Sequence, residues 1–130
     1  MNRYLVDTNI LIYALAGKNP WANLMKKWIK EKRIALSSIV VAEFLTGATD
    51  KETKVFKTLL DKFNSLPVDT TIARLAADYR KEFLKRGRKL PLFDCLIAAT
   101  CKLYKATIVT FNTADYPMKD ISLFPVPNSR

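Results

Sequence analysis

Histidine is absent from the 130-residue chain. That single gap excludes Ser-His-Asp and Cys-His nucleophilic catalysis, histidine acid-base nucleases and every metal site that needs imidazole. Cysteine is almost as scarce. Cys95 and Cys101, six positions apart in an Ala-rich apolar stretch, form neither a CxxC redox pair nor a four-thiolate zinc site, and are expected to be core thiols. The three glycines, Gly17, Gly47 and Gly87, are too widely spaced for a GxGxxG turn or a phosphate-cradling P-loop. Long apolar runs are missing too: Ile10 to Ala16 and Ile39 to Ala42 fall far short of the ~20 residues that cross a bilayer. Asp7 and Asn9 interrupt the N-terminal segment, which does not read as a signal peptide, so a cytoplasmic protein without membrane association is expected. What chemistry remains belongs to carboxylates, hydroxyls, amides and lysines. Carboxylates that act on phosphates usually do so by holding a hard divalent cation.

The residues that are present describe one globular domain spanning residues 1–130. Hydrophobic residues make up 49% and charged residues 26% of the chain, enough apolar material for a packed core. Lysine and arginine number 22 against 12 aspartates and glutamates, a formal charge of +10. Such an excess favours a polyanionic partner, nucleic acid first.

Helical and extended patterns alternate along the chain, which implies an α/β layered fold. Arg3 to Val6 reads as a short buried strand. Asp7-Thr8-Asn9 offers capping side chains to a helix over Ile10 to Ala16, closed by Gly17. Pro20 opens a helix whose apolar stripe (Trp21, Leu24, Met25, Trp28, Ile29) stands against Lys26, Lys27 and Lys30. Trp21 and Trp28 on that stripe are read as core or partner interface. Ile34 to Ser37 is a second strand, followed by Ser38 as N-cap of an apolar helix ending at Gly47, and Asp50 begins a surface helix reaching about Phe63. Pro67-Val68 reads as the remnant of a third strand, Thr70 or Thr71 opens a long helix, and Arg86-Gly-Arg-Lys89 is a basic loop before a buried helix from Phe93 to Tyr104. Thr107 to Thr110 is the clearest strand. Pro117, Pro125 and Pro127 limit the last strand to a short edge piece near Ile121 to Phe124.

Eight of the twelve acids lie among polar neighbours or at caps; Asp7, Glu43, Asp94 and Asp115 do not. Asp7 follows a buried strand and also suits an N-cap, worth ~1 kcal/mol without further role. Asp94 suits a first-turn acid that complements the helix dipole. Glu43, inside Ile39-Val-Val-Ala-Glu-Phe-Leu45, projects beside Val40 on a face that reads as buried, so it is expected to be neutral, cation-bound or at a pocket wall. Asp115 serves equally well as a turn residue before Tyr116-Pro117. In open parallel sheets ligands collect beyond the carboxyl ends of the strands, where Asp7 and the Asn112 to Asp115 turn both fall. Convergence of all four acids on one crevice demands Mg²⁺, Mn²⁺ or retained protons, since two carboxylates ~5 Å apart repel by roughly 3 kcal/mol at an effective dielectric of 20.

The segments Leu5-Val-Asp-Thr-Asn-Ile-Leu-Ile12, Ser38-Ile-Val-Val-Ala-Glu-Phe-Leu-Thr-Gly47, Leu92-Phe-Asp-Cys-Leu-Ile-Ala-Ala-Thr100 and Ile108-Val-Thr-Phe-Asn-Thr-Ala-Asp115, in this order, resemble the PIN-domain ribonucleases, most closely the VapC-type toxins of toxin–antitoxin pairs. The resemblance implies a three-layer α/β/α sandwich with a short, mostly parallel sheet. It also implies Mg²⁺- or Mn²⁺-dependent endonucleolytic cleavage of RNA, an antitoxin partner and a homodimer, with Asp7, Glu43 and Asp94 as the core acids. Asn112 or Asp115 fills the fourth position. Phe111 stands where such toxins often carry arginine. Thr8 and Thr110 are expected to orient the metal ligands, and Lys26, Lys27, Lys30, Arg86, Arg88 and Lys89 to hold the RNA backbone. Two other readings stand beside this one. One is a catalytically silent relative that binds RNA or protein; the other is an Asp-x-Asp phosphatase, for which Asp7-Thr8-Asn9 lacks the second aspartate.

Overall fold

A computed structural model describes residues 2–126; Pro127 lies outside them. Twelve elements follow one another: β1 (Arg3–Val6), α1 (Thr8–Leu15), α2 (Trp21–Lys30), β2 (Ile34–Ser37), α3 (Ser38–Gly47), α4 (Asp50–Lys62), β3 (Ser65–Leu66), α5 (Thr70–Lys85), α6 (Leu92–Tyr104), β4 (Ala106–Val109), a 3₁₀ turn (Thr113–Asp115) and β5 (Ser122–Leu123). Among the described residues no helix is long and apolar enough to cross a membrane.

All strand pairs are parallel and the sheet order is β3-β2-β1-β4-β5. The chain therefore builds outward from β1 to β3, then returns across the sheet to place β4 on the other side of β1. Parallel strands joined by crossovers bury both faces, and these strands are accordingly apolar on both: β2 is buried at every residue. Right-handed crossovers set α1 to α4 on one face and the α5–α6 pair on the other. Leu5, Val6, Ile108 and Val109 form the centre of the core, with Phe56, Ile72 and Ile97 packed in from the helices. Cys95 and Cys101 are both buried free thiols, as expected for core residues.

Local chemistry explains where the elements begin and end, including four places where the sequence reading shifts. Helix α1 starts at Thr8, because the Asp7 carboxylate already caps it by accepting from the Thr8 N–H at 2.9 Å. At α3 the cap is Ser37, whose hydroxyl accepts from the Ile39 N–H at 3.1 Å; Ser38 is helical and donates to the Leu66 carbonyl at 2.8 Å. Strand β3 lies at Ser65–Leu66 and stops where Pro67 has no N–H to continue the ladder. Strand β4 runs from Ala106 to Val109, leaving Thr110 just past its carboxyl end. A reciprocal Thr49–Glu52 capping box starts α4, and Asp69 caps α5.

This arrangement places the stability in the β1–β4 core. Ile108→Ala, at a fully buried position, is expected to cost about 2–5 kcal/mol. Thr49→Ala, which removes one cap, should cost about 1 kcal/mol. Urea unfolding followed by circular dichroism measures both, and equal midpoints for the two variants would contradict the assignment.

Candidate active site

The sheet order reverses between β1 and β4, and that switch point opens a crevice beyond their carboxyl ends. In-register pairing of Val6 with Val109 delivers Asp7 and Thr110 side by side at its floor. The backbone fixes Asp7 first, its N–H donating to the Val109 carbonyl at 2.9 Å. Both carboxylate oxygens are then held: Oδ1 accepts from the Thr8 N–H at 2.9 Å and Oδ2 from the Thr110 hydroxyl at 2.8 Å. Thr110 Oγ1 in turn accepts from the Asn112 N–H at 3.1 Å and from Asn9 Nδ2 at 3.5 Å, while Asn9 Oδ1 accepts from the Phe111 N–H at 3.3 Å. Asp7 thus serves as the α1 cap and as the centre of a buried network. Burial raises its pKa despite the hydrogen bonds from Thr110 and Thr8, and the charge of Asp115 adds to the rise.

Asp94 sits in the first turn of α6, half-buried, and its Oδ1 accepts from the Tyr116 hydroxyl at 3.4 Å. Burial, then the charges of Asp115 and Asp7, push it up to about 6, with the Tyr116 hydrogen bond opposing. Asp115 is half-buried on the 3₁₀ turn and its field reaches both Asp7 and Asp94, whereas Asn112 is exposed at the start of that turn. Glu43 departs from the expected inward face. Val40 and Phe44 are the buried residues of α3, and Glu43 flanks them on an exposed rim position. Partial desolvation still raises its pKa, followed by the charges of Asp7 and Asp94. The four acids therefore share one electrostatic field. Among the described residues, however, no three acidic, histidine or cysteine side chains are close enough to enclose one ion, so the tight cluster expected from sequence is looser in the structure.

The predicted basic contacts divide. Arg86 is ion-paired with Glu82 at 2.6 Å, and Arg88 Nη2 donates to the Ala114 carbonyl at 2.5 Å, tying the basic loop to the 3₁₀ turn. Lys89 is exposed on that loop. The α2 lysines are exposed too, but they do not gather at the crevice. Helix α2 begins at Trp21, which meets Phe111 beyond β4, and descends to Trp28, which stacks on Tyr4 at the start of β1. Lys26, Lys27 and Lys30 thus occupy the half of α2 that leads away from the acid end of the sheet. Trp21 and Trp28 are core residues, and Phe111 packs edge-on against Tyr13 and Trp21. The sequence reading missed Asn9 and Tyr116 as site residues. Asn9 was visible only as a cap, and the Asp115-Tyr-Pro context hides a buried tyrosine behind a turn signal.

The donor set suits a hard dication. It consists of carboxylate, hydroxyl and amide oxygens, and among the described residues the salt bridges lie elsewhere, at Arg33–Glu31, Arg86–Glu82 and Lys102–Asp120. Carboxylates that share one negative field without a cationic partner leave room for a divalent cation, and their wide spacing suits an ion that keeps several waters and uses one or two carboxylates directly. The Thr8 hydroxyl, beside Asp7, is also the one buried side-chain polar atom without a partner among the described residues.

Comparison with known proteins gives the same direction. The PIN-domain family model matches residues 4–120. Ribonuclease VapC10 of Mycobacterium tuberculosis is 30% identical over 114 residues, covering 88% of this chain and 86% of the relative. Ribonuclease VapC2 of Rickettsia felis is 33% identical over 120 residues, covering 87% and 89%. Among solved structures, a toxin–antitoxin complex from Klebsiella pneumoniae superposes with a TM-score of 0.75 at 27% identity, covering 95% of this chain and 98% of that one. With the reversal of strand order, the acids above it and these near full-length matches taken together, the chain belongs to the PIN-domain family.

Proposed function

We propose that this protein is an Mg²⁺- or Mn²⁺-dependent endoribonuclease, the toxin of a toxin–antitoxin pair. The observation that carries the reading is the shared field of Asp7, Glu43, Asp94 and Asp115 above the switch point, where each raised carboxyl has an acid among its causes and none has a cation. Asp7 and Asp94 are the principal ligands, Glu43 closes the rim, and Asp115 rather than Asn112 fills the fourth position, because its charge is the one felt by both aspartates. A dication held there would supply charge neutralisation at the scissile phosphate and a lower pKa for an attacking water. The chain's own contribution is orientation. Thr110 and the Thr8 N–H each hold one carboxylate oxygen of Asp7, and Asn9 and the Asn112 N–H hold Thr110. Lys89 and the net charge of +10 attract the RNA backbone, so binding should weaken steeply with salt.

The relatives named VapC support the RNA substrate, and the two-component Klebsiella structure supports an antitoxin partner. An apolar depression of about 380 Å³ between α1, α2 and α4, lined by Leu15, Ile29, Val55 and Leu59 with Lys62 at its edge, suits an apolar, acid-flanked antitoxin segment. The loose spacing of the acids favours one competing reading, a silent PIN-like module that binds RNA without cutting it.

Cleavage of single-stranded RNA with Mn²⁺, with and without EDTA, separates the two. Loss of a partner that merely orients a ligand costs 10–100-fold, so Asp7→Asn and Asp94→Asn should each lower the rate by more than about 100-fold. Undiminished cleavage by both variants would sink the proposed site.

Stability supplies a second test. The folded-state pKa of Asp94, about 6, lies above its ordinary 3.8, so the folded protein holds the extra proton. That stabilising contribution is complete below about pH 4 and is lost as pH rises through about 6. The Asp94 contribution should therefore fall between pH 4 and pH 7, so that the melting temperature of metal-free wild type drops relative to that of Asp94→Asn as pH rises over this range. At pH 7 the variant should melt later than wild type without metal and gain less from added Mn²⁺. A variant that melts earlier than wild type in EDTA would contradict the repulsion.

A further inference from the structure

Asp7 and Asp94 are not held alike. Asp7 has a donor on each oxygen, whereas among the described residues the Asp94 side chain accepts from Tyr116 alone. Tyr116 follows the 3₁₀ turn that carries Asp115, and its ring is 2% exposed within the main core. Its hydroxyl reaches Asp94 Oδ1 across 22 residues of sequence. A buried phenol is more than filler when its oxygen ends at a carboxylate: phenylalanine would occupy the same volume without placing a polar atom in the interior.

Resting on the ribonuclease reading of the crevice, we infer that Tyr116 is a positioning residue for the metal site, its hydroxyl engaging Asp94 Oδ1 and so limiting the orientations in which the carboxylate would meet an ion. Three observations converge on this role. The phenol is a donor and a carboxylate is an acceptor, so the contact has a defined direction. The ring is clamped by the core and cannot follow Asp94 if the carboxylate rotates. Finally, the 3₁₀ turn is itself anchored by Arg88, which donates to the Ala114 carbonyl, so the basic loop before α6, the turn bearing Asp115 and the carboxylate of Asp94 are linked as one unit. At 3.4 Å the bond is longer than the usual 2.7–2.8 Å of O–H···O contacts, and bonds at catalytic groups commonly shorten when the ligand is in place. The role matches that of outer partners in metal sites generally, which set the direction of a ligand and typically account for 10–100-fold in metal affinity.

The test uses the full chain with Tyr116→Phe, which keeps the ring and removes only the hydroxyl. Mn²⁺ binding by isothermal titration calorimetry should weaken by roughly 10–100-fold, while metal-free unfolding stays cooperative. In RNA cleavage the half-saturating Mn²⁺ concentration should rise by a similar factor, with most of the rate restored at saturating Mn²⁺. Asp94→Asn is measured alongside. If Asp94→Asn loses Mn²⁺ binding while Tyr116→Phe binds within about twofold of wild type, the positioning role is overturned and the ribonuclease site stands. If Asp94→Asn also binds Mn²⁺ as wild type does, both fall. Weaker binding accompanied by a broadened, non-cooperative melt would assign Tyr116 a packing role and overturn the inference as well.

Discussion

Side-by-side pairing of two parallel strands of four residues each governs the rest of this molecule. Because β1 and β4 run in the same direction and in register, their carboxyl ends finish at the same height. The first residues beyond them, Asp7 and Thr110, meet as carboxylate and hydroxyl at 2.8 Å. An antiparallel partner could not do this, since it would set a carboxyl end against an amino end. The strand order then reverses at the same seam, so the crossover helices diverge to opposite faces and leave the floor open. A crevice lined by acids is a consequence of topology before it is a consequence of residue choice.

Electrostatics gives that crevice its direction of response. In a chain of net charge +10, the ion pairs among the described residues lie away from the crevice, while several of its few acids line it. Arg86 and Lys102 pair with Glu82 and Asp120, away from the crevice, and Arg88 satisfies a carbonyl instead of a carboxylate. Natural sequences readily neutralise unhelpful repulsion by a single substitution, so repulsion that is retained marks a site held below its stability optimum for another purpose. A chain with a net positive charge and a crevice lined by acids separates its two signs of charge, an arrangement that favours a polyanionic partner outside the crevice and a cation within it.

Much of this was legible in the sequence, and what was not has physical reasons. Strand and helix order followed from alternating patterns, caps and breakers, and Pro67 displaced a strand by two residues only because proline has no N–H to pair. The acids were found by asking which carboxylates lack a surface explanation, a question about burial that helical period can approximate. Glu43 shows the limit of that approximation. On a helix with just two buried residues, Val40 and Phe44, a position about 60° from one and 100° from the other lies at the boundary, and periodicity does not say which side of it faces water. The α2 lysines show another limit: their common face was readable, but not that they occupy the half of the helix that leads away from the acid end of the sheet. Tyr116 and Asn9 were hidden for a third reason. Their partners lie 22 and 101 residues away, and no local pattern encodes such contacts.

The site's restraints are graded, and the gradation follows distance from the central strands. Asp7, fixed by a backbone bond and by donors on both oxygens, belongs to the most rigid part of the fold. Asp94, one layer out on α6, has a single donor from a side chain that is itself immobile. Glu43, on the exposed rim of α3, has no such donor among the described residues. An ion with strict octahedral demands needs at least one ligand whose geometry is set in advance, while ligands that can still move allow the shell to close around a hydrated ion and a phosphate. A fully rigid cluster would have to bear the whole cost of like-charge repulsion in the metal-free protein. With restraint greatest at Asp7 and least at Glu43, the carboxylate with most freedom to relieve that repulsion is the exposed Glu43, while Asp94 is held by Tyr116. Such a gradient reconciles acids too far apart to enclose an ion with a fold that aims them all at the same space.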